Sequence, residues 1–205
     1  MYPVAFTVTL VIVTALLSIP AFNDYRLKDR LILWPAKMHK PEEYYRLLSS
    51  GFIHADWMHL FFNMFTLFFI GRFVEAEFMA YGITPWLYVL MYLAGIVVAS
   101  LPSFIKHRNN PYYRSLGASG GVAAVLFSSV YFSPWSELYI YFIKMPNILF
   151  AVLYLVYSVY MSKRGSNGIN HDAHFWGAVF GFAFILAIEP SHGGLFLEQI
   201  KAFRF

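Results

Sequence analysis

The chain has 205 residues, 59% of them hydrophobic and only 13% charged, against roughly 25% charged in an ordinary soluble domain. Phe (22) and Tyr (15) are abundant, as where aromatic rings sit at lipid headgroups, and the lack of cysteine excludes a disulfide framework or a Cys-rich metal site. The net charge of +4 says little, because in a membrane protein the placement of basic residues matters more than their sum, and nothing in it calls for a nucleic-acid partner.

A helix needs about 20 mostly apolar residues to cross a bilayer core. Six windows approach that length: 3–22, 57–73, 83–104, 115–133, 146–162 and 170–189. Only Met1 and Tyr2 precede the first, with no basic n-region, so it reads as a retained helix rather than a cleaved signal. The polar stretch from Asn23 to Asp56, with Trp34-Pro35 and Glu42-Glu43, is expected to form short amphipathic helices at the interface. Pro85, Pro102, Pro134, Pro146 and Pro190 fall near window ends, where a missing N–H does least harm. The expectation is an all-α polytopic membrane protein: six transmembrane helices, an interfacial helical first loop, and one membrane-embedded domain over residues 1–205.

Polar groups inside such spans are expensive, so they raise a functional hypothesis first. Three clusters occur: His54, His59 and Asn63 in "HADWMHLFFN"; Ser119 in "GASGG"; and His171 and His174 in "NHDAHFWGAVFG". They open windows two, four and six. Even-numbered helices start on one side of the membrane, so the clusters converge at similar depth. Each has a plainer reading when taken alone. The Gly117–Gly121 string and "GAVFG" read as close helix packing, Asn63 as an interhelical hydrogen-bonding residue, and His54 and His171 as loop residues. Packing alone, however, does not ask for a hydroxyl, imidazoles and an amide at matching depth.

A serine hydroxyl needs an adjacent base to become a nucleophile, and imidazole is suited by its pKa. Ser119 lies near a helix start, where free N–H groups face incoming negative charge. His59 and Asn63, four apart, share a helix face and both can donate to an oxyanion.

These motifs resemble those of the rhomboid intramembrane serine proteases. "HADWMHLFFN" fits His-x4-His-x3-Asn through His54, His59 and Asn63, and "GASG" fits Gly-x-Ser-Gly through Gly117 and Ser119. "AHFWGAVFG" fits Ala-His-x2-Gly-x3-Gly through His174, Gly177 and Gly181, and "GRFVE" resembles Gly-x3-Glu through Gly71 and Glu75. The resemblance implies Ser119 as nucleophile and His174 as base, a dyad needing no carboxylate, metal or cofactor. It implies an oxyanion site of His59, Asn63 and the Ser119 N–H, and it matches Arg46 to the arginine of a loop motif. Asp172, two residues from His174, points to another face, and no acid lies deep inside a window. Tyr45 stands where that loop motif has tryptophan, leaving the loop's anchor open. Ala123 stands where some members carry a ring stacked on the histidine; Phe175, Trp176 or another ring remains to fill that place, or the imidazole is held differently.

The implied substrates are single-span membrane proteins cut in or near the lipid bilayer. The implied location is a bacterial inner (plasma) membrane, with the site facing away from the cytoplasm. Charge argues the other way. Arg26, Lys28, Arg30, Lys37, Lys40, Arg46, Lys106, Arg108, Arg114, Lys163 and Arg164 all fall on the site's side, which the positive-inside rule would put in the cytoplasm. Two other functions stay open: a metal or proton transporter or channel using the histidines, and a catalytically inactive rhomboid-like binder of membrane proteins.

Overall fold

A computed structural model describes residues 5–140, 143–164 and 170–202, which are mostly helical. A helix occupies each apolar window: α1 (Ala5–Ala21), α4 (Trp57–Ala80), α5 (Pro85–Lys106), α6 (Ser119–Phe132), α7 (Asn147–Arg164) and α8 (His171–Ile188). Between α1 and α4 lie the short helices α2 (Tyr25–Leu31) and α3 (Arg46–Ser49), with three 3-10 turns. By length and composition, α4 and α5 are the two helices among the described residues able to cross a membrane.

The bundle buries an apolar core that includes Tyr88, Tyr92, Phe78 and Phe132, and it also turns bulky apolar side chains outward. Helix α1 buries Thr7, Leu10, Thr14, Ser18 and Ala21, one face of small or polar residues, while Leu16 is 67% exposed. Phe61, Phe65 and Phe69 form an outward ladder along α4, with ring centroids 5.7 and 4.7 Å apart. In lipid, apolar surface gains nothing by burial, so bulky side chains can also face out.

Helix α6 is the axis, buried at every residue from Gly120 to Phe132. Glycine lets its neighbours approach. A Cβ on Gly177 of α8 would overlap the Gly120 carbonyl oxygen, and one on Gly181 would overlap the backbone of Ala124. A Cβ on Gly120 would stand 2.5 Å from that of Ala99 on α5.

Four expectations change. Helix α4 runs to Ala80, past the window 57–73, so Glu75 is an acid well inside a helix, with 0% exposure. Its carboxylate accepts from the N–H groups of Phe6 (3.0 Å) and Thr7 (2.8 Å) and from the Thr7 hydroxyl (2.6 Å), so the start of α1 satisfies the buried charge. Helix α6 starts at Ser119, not within 115–118. The chain is also not purely helical. Strands β1 (Glu137–Ile140) and β2 (Ile143–Pro146) pair antiparallel from Glu137↔Pro146 to Ile140↔Ile143, in a β-branched and aromatic segment suited to strands. Finally, α9 (His192–Lys201) follows Pro190, held where the Trp135 indole N–H donates to the Gln199 carbonyl, 2.7 Å away.

Candidate active site

The segment before Ser119 is extended, and three ties to the first loop hold it. Leu33 and Ser115 exchange N–H···O bonds of 3.0 Å, the Gly117 N–H donates to the Ser50 carbonyl at 2.9 Å, and the Ala118 N–H donates to His54 Nε2 at 3.3 Å. Gly117 has φ +122°, and a Cβ there would lie 2.7 Å from His59 Cε1, so both conformation and space require glycine. Helical bonding in α6 begins with Val122 N–H to Ala118 O at 3.0 Å. The N–H groups of Ser119 to Gly121 precede that first bond and stand at the positive end of the helix.

Helix α8 starts at Asn170, whose side chain accepts from the Ala173 N–H (3.1 Å) and donates to Ser115 Oγ (3.2 Å). One residue thus caps α8 and ties it to the strand leading into α6. The N-cap preference of Asn is a sequence signal for this role, which the motifs passed over. With Gly177 pressed on Gly120, His174 lies one turn before the contact and Ser119 one residue before it. Both side chains line a single cleft of about 550 Å³, together with His59 and Asn63. Asn63 Nδ2 donates to the His59 carbonyl at 3.0 Å, which uses one of its two N–H bonds.

Other candidates lie elsewhere. His54 does not line the cleft. It is fully buried behind Gly117, edge-on to the His59 ring at 4.9 Å, with Nδ1 3.1 Å from Ser18 Oγ. Because Nε2 accepts a backbone N–H, the neutral ring carries its proton on Nδ1 and donates it to Ser18. Burial, aided by His59, pushes its pKa down to about 3, so it stays neutral near pH 7 with no lone pair left for a metal. Arg46 belongs to the loop's architecture: Nη1 donates to the carbonyls of Asp29 (2.7 Å) and Ile32 (3.1 Å), and Nε to Glu43 (2.5 Å). Tyr45 supplies the loop's open anchor, its hydroxyl donating to the Arg30 carbonyl at 2.8 Å, while Ser49 donates to Leu31. The last four carbonyls of the α2 end are thereby satisfied. The His171 side chain lies outside the described residues. Asp172 faces Lys106 at 3.5 Å.

The ring against His174 is Tyr154 of α7, nearly parallel at 25° with centroids 5.5 Å apart. Phe175 and Trp176 instead contact each other edge-on. Tyr154 carries no motif, so only the fold brings it to notice.

Residues 41–190, which carry Ser119, His174, His59, Asn63 and Tyr154, match the family model described as Rhomboid domain. The chain belongs to the rhomboid family. A rhomboid domain is membrane-embedded, in keeping with the outward apolar faces of α1 and α4. The chain is 35% identical to RHOMBOID-like protein 4 of Arabidopsis thaliana over 161 residues, covering 77% of this chain and 38% of that protein. To Rhomboid-like protein 11, chloroplastic, of the same plant, it is 29% identical over 177 residues, 80% of this chain and 59% of that one. To Rhomboid protease GluP of Bacillus subtilis (strain 168), it is 28% identical over 159 residues, 77% and 29% of the respective chains. This rhomboid chain therefore spans less than two thirds of the length of these relatives.

Proposed function

We propose that this rhomboid is an intramembrane serine endopeptidase that cuts single-span membrane proteins within or beside the bilayer. The observation carrying this reading is that Ser119 and His174 line one cleft with His59 and Asn63, at the point where α6 and α8 meet through glycine. Ser119 Oγ attacks the scissile carbonyl while His174 takes its proton. The resulting oxyanion is met by the Ser119 N–H, His59 and Asn63. His174 then gives the proton to the leaving amine, and water, activated by the same imidazole, hydrolyses the acyl-enzyme. A helical substrate has its carbonyls occupied by its own hydrogen bonds, so helix-breaking residues favour cleavage. The cleft's walls include Phe62 of α4 and Phe150 of α7, which makes the gap between these two helices the substrate's approach from lipid.

In the same reading, residues 1–205 form one domain with six membrane spans, and α2 and α3 lie at the interface. The site faces away from the cytoplasm of a bacterial inner membrane. The cysteine-free chain makes this orientation directly testable. Tyr112, 91% exposed between α5 and α6, becomes the only thiol in Tyr112→Cys. A membrane-impermeant maleimide should label it in intact spheroplasts; labelling only after permeabilisation would reverse the orientation.

The catalytic test uses purified protein in liposomes with a model single-span substrate and a fluorophosphonate probe. Cleavage and labelling at Ser119, both absent in Ser119→Ala, are expected. A folded wild-type protein that neither cuts nor reacts would instead be a rhomboid that binds without cleaving.

A further inference from the structure

Ala123 sits one turn beyond Ser119 and lines the same cleft, yet offers the imidazole only a methyl group. The aromatic face comes from elsewhere. Tyr154 projects from α7 into the cleft, its ring 5.5 Å from that of His174 and tilted 25° from it. Two further rings hold it: Phe127 of α6 at 6.2 Å and Phe150 of α7 at 6.1 Å. Three helices thus fix one ring beside the imidazole.

Resting on the protease reading above, we propose that Tyr154 is a positioning residue for His174. Its face fixes the imidazole plane in the ground state, and it stabilises the imidazolium formed when His174 takes the Ser119 proton. The contribution belongs to the ring face, not the hydroxyl. It also makes the base's alignment depend on α7, a helix that walls the cleft, rather than on the helix carrying the nucleophile. Displacing α7 outward would therefore withdraw the ring and leave Ser119 in place.

The test compares wild type, Tyr154→Phe and Tyr154→Leu in liposomes, reading kcat, KM, the rate of fluorophosphonate labelling at Ser119, and thermal unfolding. Tyr154→Phe is expected within about twofold of wild type. Tyr154→Leu should lose roughly 3- to 30-fold in kcat with KM unchanged, with labelling slowed in parallel and unfolding little altered. Should Leu unfold the protein, Tyr154→Met replaces it under the same criteria, since Met fills irregular space without a ring. The proposal is overturned if the ringless variant keeps wild-type kcat, if Phe loses as much as Leu, or if the loss appears in KM alone. A wild-type protein inert to both substrate and probe would refute the protease reading itself, a result distinct from any of these.

Discussion

On one side of Ser119 the backbone of α6 meets that of α8 with only glycine hydrogens between them. On the other, α6 faces a cleft of about 550 Å³ walled by Phe62, Phe150 and Tyr154. Where Gly177 meets Gly120 the packed flank is backbone on backbone, so the distance between the two helix starts is set by that contact. The open flank is all side chain, and its shape can change without moving Ser119. The spacing of the two helix starts thus rests on backbone contact, whereas the ring beside His174 and the cleft that the proposed substrate would enter belong to the side-chain flank. On the proposed reading, opening between α4 and α7 would leave the α6–α8 seam closed while moving the ring beside His174.

The largest expected effect lies where the flanks meet. Ser119→Ala should reduce cleavage by a factor on the order of 10⁶, as when one member of a catalytic unit is lost, with unfolding unchanged because one oxygen facing a cleft is removed. Retained turnover would remove Ser119 from the mechanism. On the open flank, Asn63→Ala should lower kcat by at most about 10²–10³-fold and leave KM and stability alone, since the charge it meets exists only in the transition state. A rise in KM with kcat untouched would make Asn63 a substrate-binding group; unfolding would make it part of the packed flank. Gly177→Ala tests that flank directly. Its methyl would overlap the Gly120 carbonyl, so the helices must part. About 1–3 kcal/mol of stability and about 10²-fold of activity should go together. Full activity in Gly177→Ala would show that the seam is not what aligns the site.

The smallest effect concerns the support behind Gly117. His54 has a folded pKa of about 3 against 6.5 for the free side chain. Between those values the unfolded chain binds the proton and the folded one does not, so stability is full above pH 6.5 and declines as pH falls toward 3. The slope is about 1.4 kcal/mol per pH unit, or roughly 2 kcal/mol between pH 6.5 and 5. His54→Gln, which can also donate to Ser18 and accept from Ala118, should flatten that part of the profile in chemical denaturation. An unchanged slope would mean that His54 is not the group that titrates.

The difference between the flanks also governs what could be read from the chain. Short spacings were legible: His59 with Asn63, Ser119 among glycines, and His174 followed by Gly177 and Gly181 each announce themselves within one turn or two, and their shared cleft follows from helix direction. The burial of Glu75 is not legible locally, because its partners, Phe6 and Thr7, lie at the far end of the sequence. Arg46 and His54 carry motif positions, yet beside their bonds to Glu43 and Ser18 they hold backbone carbonyls and a backbone N–H, which no side-chain pattern encodes. Tyr154 is one of many aromatic residues in an apolar run, and only the crossing of α7 over α8 distinguishes it. The hairpin is not legible because a segment as short as Glu137–Pro146 between two apolar windows carries no pattern that separates paired strands from a plain connection.

The order of elements along the chain has a consequence for biosynthesis. Ser119 opens α6, whereas the imidazole that completes the proposed dyad arrives later, on α8, after α7. Until α8 is inserted and Gly177 seats against Gly120, the nascent protein holds Ser119 without the imidazole proposed to activate it. On the proposed reading, a chain that has not yet made α8 lacks the dyad, and translation itself would act as the safety catch that a soluble protease obtains from a removable pro-segment.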